Sequence, residues 1–154
     1  MKKNTKDISF MKEALKLAKE AEKTGEVPVG AIITYQGKII ARAMNQKEKL
    51  KSAIFHAEIL AIKEASLKLQ DWRLTECELY VTLEPCPMCA GAIVASRLKR
   101  LIYGCKDPKA GAVHSLYKIT EDKRLNHQVE VCCGILAEES SQLLKNFFNK
   151  KRKK

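Results

Sequence analysis

Glu84-Pro85-Cys86-Pro87-Met88-Cys89, read together with His56-Ala57-Glu58 upstream, decides how the rest of the chain is arranged. Cys86 and Cys89 are three apart and open what reads as a helix from Met88 to Ser96, so both project from one face of its first turn. There the free backbone N–H groups and the positive end of the helix dipole favour thiolate over thiol. Thiolates bind Zn²⁺, and His56 completes a three-ligand His/Cys/Cys set. Such a set leaves a fourth position for water, the layout of a catalytic zinc and not of a closed structural one. Glu58 adds a proton-transfer group that a structural site does not require.

The chain has 154 residues, enough for one domain with a full hydrophobic core, and we expect a single domain over 1–154. Its 29 Lys+Arg against 18 Asp+Glu give a net charge of +11, which points to a polyanionic partner, most simply nucleic acid. A lysine-rich composition with no basic groove is the bland alternative. The charged start of the chain lacks a signal peptide's apolar core, and no apolar run approaches a membrane span. Six cysteines without secretory context argue for reduced thiols or metal ligands. A cytoplasmic location is expected.

Outward from the motif, Asp7 to Lys23 carries Ile8, Met11, Leu15 and Ala18 at helical spacing, and Gly25 ends the helix. Val27 to Tyr35 and Lys38 to Met44 read as strands of a hairpin turning at Gln36-Gly37. Asn45 to Lys51 reads as a loop, and His56 to Leu69 as a helix with a wide apolar face. Leu79 to Leu83 is a strand before the cysteine-bearing helix, and Leu98 to Gly104 another after it. Residues 104–126 are expected to be a loop with one short helix, followed by a strand at Gln128 to Val131 and a helix at Leu136 to Phe148. Alternation of helix and strand after an opening hairpin implies a mixed sheet with helices on both faces. Trp72 and the apolar helix stripes read as core. The tail is basic, with six positive residues and no acidic one from Lys145 on. Its end, residues 149–154, is either an RNA-contacting arm or a solvated, disordered end.

His-Ala-Glu followed by Pro-Cys-Pro-Met-Cys resembles the signature of the cytidine deaminase superfamily of zinc-dependent nucleobase deaminases. The flanks Glu26-Val27-Pro28-Val29-Gly30-Ala31, Thr82-Leu83-Glu84-Pro85-Cys86, Met88-Cys89-Ala90-Gly91-Ala92 and Gly134-Ile135-Leu136-Ala137-Glu138 resemble its bacterial tRNA-specific adenosine deaminase family. The resemblance spans nearly the whole chain. It implies a three-layer α/β/α fold with a five-stranded mixed sheet, a homodimer, one Zn²⁺ per subunit, and hydrolytic conversion of adenosine to inosine at the wobble position of a tRNA anticodon stem-loop. It also implies that His56, Cys86 and Cys89 ligate zinc, that Glu58 shuttles protons, and that Asn45 and Asp107 contact the substrate. Phe147 and Phe148 match an aromatic pair that lies near the RNA in the family, although core packing explains them equally well. Ser52-Ala53-Ile54-Phe55 and Val113-His114-Ser115 depart from the family pattern near the expected substrate rim.

The chemistry needs these residue types. Water is a poor nucleophile at neutral pH, which zinc corrects by lowering its pKa from 15.7 to about 7. A carboxylate within hydrogen-bond reach can then pass protons to the ring nitrogen N1 and to the departing amine. Positions i and i+2 point to opposite sides of a helix, so His56 and Glu58 share a site only if the pocket lies beneath the helix start. That places the start at His56 or one residue earlier. The reacting base must also leave its stack, and Lys and Arg would hold the phosphates.

Alternative readings stay open at this level. A redox Cys-x-x-Cys leaves His56 and Glu58 unexplained, and a structural zinc needs a fourth ligand from Cys77, Cys105, Cys132, Cys133 or His127. Those four cysteines read better as small buried apolar residues, and His114 and His127 as surface or rim. Glu84 reads as a cap on the following helix, or else as a residue orienting the zinc loop. A deaminase of free guanine, cytosine or dCMP is the alternative enzyme, and a non-catalytic RNA-binding zinc module the alternative from another class.

Overall fold

The computed structural model describes residues 4–153. Helix α1 (Thr5–Lys23) is followed by the hairpin β1 (Gly30–Tyr35) and β2 (Lys38–Met44), a single helical turn α2 (Lys47–Leu50), and α3 (Ala57–Leu69). Then come β3 (Cys77–Leu83), α4 (Pro87–Ala95), β4 (Arg100–Cys105), a 3₁₀ turn at Ile119–Glu121, β5 (Glu130–Cys133) and α5 (Ala137–Arg152). The five strands form one sheet in the order β2-β1-β3-β4-β5. β1 is antiparallel to β2 and β3, whereas β3, β4 and β5 run parallel. This is the expected three-layer α/β/α fold with a mixed sheet.

Period-two alternation sorts the strand residues between the two faces. Leu79, Val81, Leu101 and Tyr103 join Ala57, Ala61 and Ala65 of α3 and Ile93 of α4 in one core. Their neighbours Tyr80 and Ile102 point the other way and meet Met11 and Ala14 of α1. Parallel strands buried on both faces explain why β3 and β4 read as nearly continuous apolar runs. The hairpin turns through Gln36 (φ 53°) and Gly37 (φ 76°), the pair of left-handed residues that a type I′ turn requires.

On the α1 face, Asp7 ties the layers together. Its backbone N–H donates to the capping Asn4 side chain at 2.7 Å. Its carboxylate accepts the Tyr80 hydroxyl at 2.8 Å and two guanidinium bonds from Arg100, at 3.2 and 2.8 Å. Arg100 also pairs with Glu78 and with the exposed Glu130, so one network, buried at Asp7 and reaching solvent at Glu130, spans α1, β3, β4 and β5. Close approach of α1 to β1 depends on Gly30, where a Cβ would be driven into the backbone carbonyl of Ala14. Gly30→Ala is therefore expected to cost about 3 kcal/mol, at the upper end of overpacking costs. A urea melt showing under 1 kcal/mol would mean the helix shifts freely.

Several sequence expectations are corrected. β1 begins at Gly30, not Val27, and β4 at Arg100, not Leu98, because residues 27–29 and 98–99 serve turns and layer crossings. Residues 45–51 contain the turn α2 rather than loop alone. Trp72 is not core: it is 57% exposed, with the guanidiniums of Arg73 and Arg97 at 5.3 and 5.6 Å from its ring. Cys77, Cys105 and Cys132 are buried in strands as expected. α5 continues through Arg152, so residues 149–152 are helical, while Lys154 lies outside the described residues. Among the described residues no helix is long and apolar enough to cross a membrane.

Candidate functional site

The starts of α3 and α4 meet at one end of the sheet. His56 is the N-cap of α3 and Cys86 the N-cap of α4, both in extended conformation, with Pro87 at the first helical position where its missing N–H costs nothing. The helix begins at Ala57, one residue later than expected, and with His56 as its N-cap the helix start lets His56 and Glu58 serve one pocket.

Nδ1 of His56 lies 3.7 Å from Cys86 Sγ and 3.5 Å from Cys89 Sγ. All three donor atoms fall within 4.8 Å of one another. A tetrahedral Zn²⁺ with ordinary Zn–N and Zn–S bonds separates imidazole nitrogen and sulfur by about 3.6 Å, so the cluster fits that ion in both spacing and donor type. Among the described residues this is the group of three or more ligating side chains that could hold a metal. His114 and His127 are spent elsewhere: His114 bonds the Tyr103 hydroxyl and Glu121, and His127 bonds the Leu98 carbonyl.

Electrostatics agree with the donor set. A hydrogen bond from Cys89, helped by His56 and opposed by burial, pulls the Cys86 thiol down to about 4. The same bond, together with burial, pushes the Cys89 thiol up. His56 is raised chiefly by its bond to Cys86. Glu58 is 4% exposed, and burial pushes its carboxyl up to about 7. A carboxyl that can both hold and release a proton near neutrality suits general acid–base work.

His56, Glu58 and Cys86 line a pocket of about 200 Å³, with Cys89 buried beside them; it is smaller than the roughly 300–1,000 Å³ of drug-sized ligand sites and suited to a single flat ring. Val27, Val29 and Leu83 give it apolar walls, and Asn45 and Asp107 both face it, so the sequence-predicted residues come together. Asn45 is already partly engaged: its Oδ1 accepts the Ala57 N–H at 2.8 Å, serving the start of α3, and its Nδ2 donates to the Val27 carbonyl. One amide hydrogen remains. Asp107 Oδ1 closes a turn by accepting from Lys109 and Ala110. Phe147 is buried while Phe148 is 41% exposed, and Lys151, with its Nζ over the Phe147 ring, reaches the pocket from α5.

Glu84 is neither a helix cap nor a zinc-loop orienter. Its Oε1 accepts the Asp107 N–H and the Ser115 hydroxyl at 3.0 and 2.5 Å, and its Oε2 accepts the N–H groups of Val113, His114 and Ser115 at 3.1, 2.8 and 2.9 Å. Burial works against the charge, but these bonds win and hold the carboxyl at about 2. Sequence reasoning missed Glu26 and Lys47 as site residues, whereas Lys151 lies in the basic tail that it offered as an RNA-contacting arm. A carboxylate set directly before the apolar run at Val27 was the available signal for Glu26.

The chain matches the MafB19-like deaminase family over residues 4–152. It is 51% identical to the tRNA-specific adenosine deaminase of Bacillus subtilis (strain 168) over 150 residues, covering 97% of this chain and 93% of that protein. Against the tRNA-specific adenosine deaminase of Aquifex aeolicus (strain VF5) it is 50% identical over 143 residues, 93% of this chain and 94% of the other. A solved structure from studies of A-to-I editing by tRNA:A34 deaminases at the wobble position of transfer RNA superposes with a TM-score of 0.86 at 42% identity. The match covers 88% of this chain and 99% of that one.

Proposed function

Since the chain belongs to the tRNA-specific adenosine deaminases within the MafB19-like deaminase family, we propose that it hydrolyses adenosine to inosine at the wobble position of a tRNA anticodon. The observation that carries this reading is the convergence of a three-ligand His/Cys/Cys set and one buried carboxylate in a single base-sized pocket. His56, Cys86 and Cys89 would hold zinc, whose soft donor preference they match. When bound, the ion supplies a water acidic enough to act as a nucleophile near neutral pH.

Glu58 carries the protons. It takes one proton from the attacking water and delivers it to N1 of the adenine, then takes the second from the hydroxyl formed on C6 and passes it to the amino group, so that the C6–N bond breaks and ammonia departs. Adenosine and water thus become inosine and ammonia with no other reactant. Burial keeps Glu58 away from bulk solvent, so its proton is not lost between steps. The free amide hydrogen of Asn45 is the polar group offered to the target nucleoside, and the carboxylate of Asp107 faces the RNA beside it. Lys47 and Lys151, on α2 and α5, flank the pocket and suit the phosphates on either side of an extruded base. α4 leaves Gly91 and Ala95 exposed on a helix with no charged residue, a face that a second copy would cover in a homodimer. A cytoplasmic location follows from the substrate.

The test uses zinc-loaded protein with an anticodon stem-loop RNA carrying adenosine at the wobble position, beside free adenosine, cytidine and guanine. Inosine in the stem-loop alone is expected. Turnover of a free base or nucleoside with the RNA untouched would replace this reading by salvage chemistry. Removing the metal with a chelator is expected to abolish inosine formation, and Zn²⁺ to restore it. Full activity in metal-stripped protein, verified by elemental analysis, would remove the metal from the proposal.

A further inference from the structure

Two buried glutamates in the pocket wall take no part in ligation or proton transfer. Glu26 is 2% exposed, and its Oε1 and Oε2 accept the N–H groups of Glu48 and Lys49 at 3.1 and 2.8 Å. Glu84, also 2% exposed, accepts five bonds from the segment between Asp107 and Ser115. Among the described residues neither carboxylate has an ion-pair partner. Each uses both oxygens, and every donor but the Ser115 hydroxyl is a backbone amide.

The segments they hold are the two opposite rims of the pocket. α2 has no buried residue, and its own N-cap, Gln46, makes no side-chain bond to it. A single turn of helix has no stability of its own, so the Glu26 carboxylate stands in for the missing cap and fixes where Lys47 projects. On the other side, Glu84 fixes the turn that presents Asp107 and Ala110 to the pocket. Gly111 packs so closely on Glu84 that a Cβ there would press on the carboxyl group.

We propose that Glu26 and Glu84 are positioning residues that set the two rims, and thereby determine how the RNA flanking the reacting base is gripped. The proposal rests on the RNA deaminase reading. It separates grip from chemistry: the rims carry the groups that meet flanking nucleotide, whereas His56, Glu58, Cys86 and Cys89 sit on α3 and α4.

Glu26→Gln is the first test. The amide keeps the shape, but its NH₂ must face a backbone N–H on one side, because both oxygens of the native carboxylate accept. Zinc-loaded Glu26→Gln is expected to show a KM for the stem-loop raised roughly tenfold, with kcat lowered less than twofold. Amide hydrogen exchange should accelerate at Glu48 and Lys49 while protection of the sheet is unchanged. Glu84→Gln should speed exchange at Asp107 and at residues 113–115 instead. If that variant does not fold, Gly111→Ala displaces the same carboxylate with its charge intact and should raise KM in the same way.

An unchanged KM despite locally faster exchange would overturn the proposal, as would loss of protection throughout the sheet with kcat and KM changing together. Failure of the wild-type protein to edit the stem-loop would instead sink the deaminase reading. In that case exchange confined to one rim per variant still supports the positioning role, and exchange spread over the sheet overturns it.

Discussion

Glu58→Gln is expected to slow inosine formation by a factor on the order of 10²–10⁴, the usual contribution of a positioned acid–base group. The substitution keeps the volume and most of the packing of a side chain that is 4% exposed, and it leaves the three ligating atoms untouched. It removes the ability to accept a proton from water and return it to the base. It also relieves the desolvation that pushes the native carboxyl up to about 7, so thermal stability should hold or rise. Single-turnover rates on the stem-loop, metal content and a melting curve together make the check. A near-native rate with metal still bound would remove Glu58 from the chemistry. A lower melting temperature with metal lost would make it a structural residue.

Asp7→Ala should be as damaging as Gly30→Ala although it is remote from the pocket, at about 3 kcal/mol. Breaking a buried ion pair by removing one partner typically costs roughly 3–5 kcal/mol. The lower end applies because Arg100 keeps Glu78 and Glu130. Burial alone would raise the Asp7 carboxyl, but the hydrogen bonds from Arg100 and Tyr80, with the Arg100 charge, bring it below the usual carboxylate range. Its folded value is thus lower than its unfolded one. The stability it contributes is complete above the unfolded value, about 3.9, and is lost as pH falls through the folded value. Urea melts should give a difference of about 3 kcal/mol between wild type and Asp7→Ala at pH 7, shrinking below pH 4. A pH-independent difference, or one under 1 kcal/mol, would show that the network contributes packing only.

The convergence of His56, Glu58, Cys86 and Cys89 was legible because their spacing is dictated by backbone geometry. Cys86 and Cys89 lie one turn apart at a helix start, and His56 and Glu58 fit one pocket only at another. Both constraints are local. Glu84 was misread for the opposite reason: it sits beside the cysteine helix in sequence, yet its five donors lie 23 to 31 residues downstream. Glu26 was missed likewise, since its partners on α2 are brought to it by the β1–β2 hairpin. Trp72 shows the limit of residue-type reasoning, because its ring is covered by arginine side chains and not by the core. The strand starts were displaced by a few residues where apolar residues such as the half-buried Val27 and the buried Leu98 serve the pocket wall or the core without joining the ladder.

His56 and Cys86 stand 30 residues apart in the chain but 3.7 Å apart in space. An ion shared between them ties off the whole α3–β3–α4 stretch as a loop. By chain-entropy arithmetic, closing a loop of that length removes roughly 3–4 kcal/mol of freedom from the unfolded ensemble. A metal that stayed on these ligands would act on the denatured chain as a staple besides serving the pocket. The cysteine pair is set by one helix start, but His56 joins it only once α3 and α4 have both docked on the sheet.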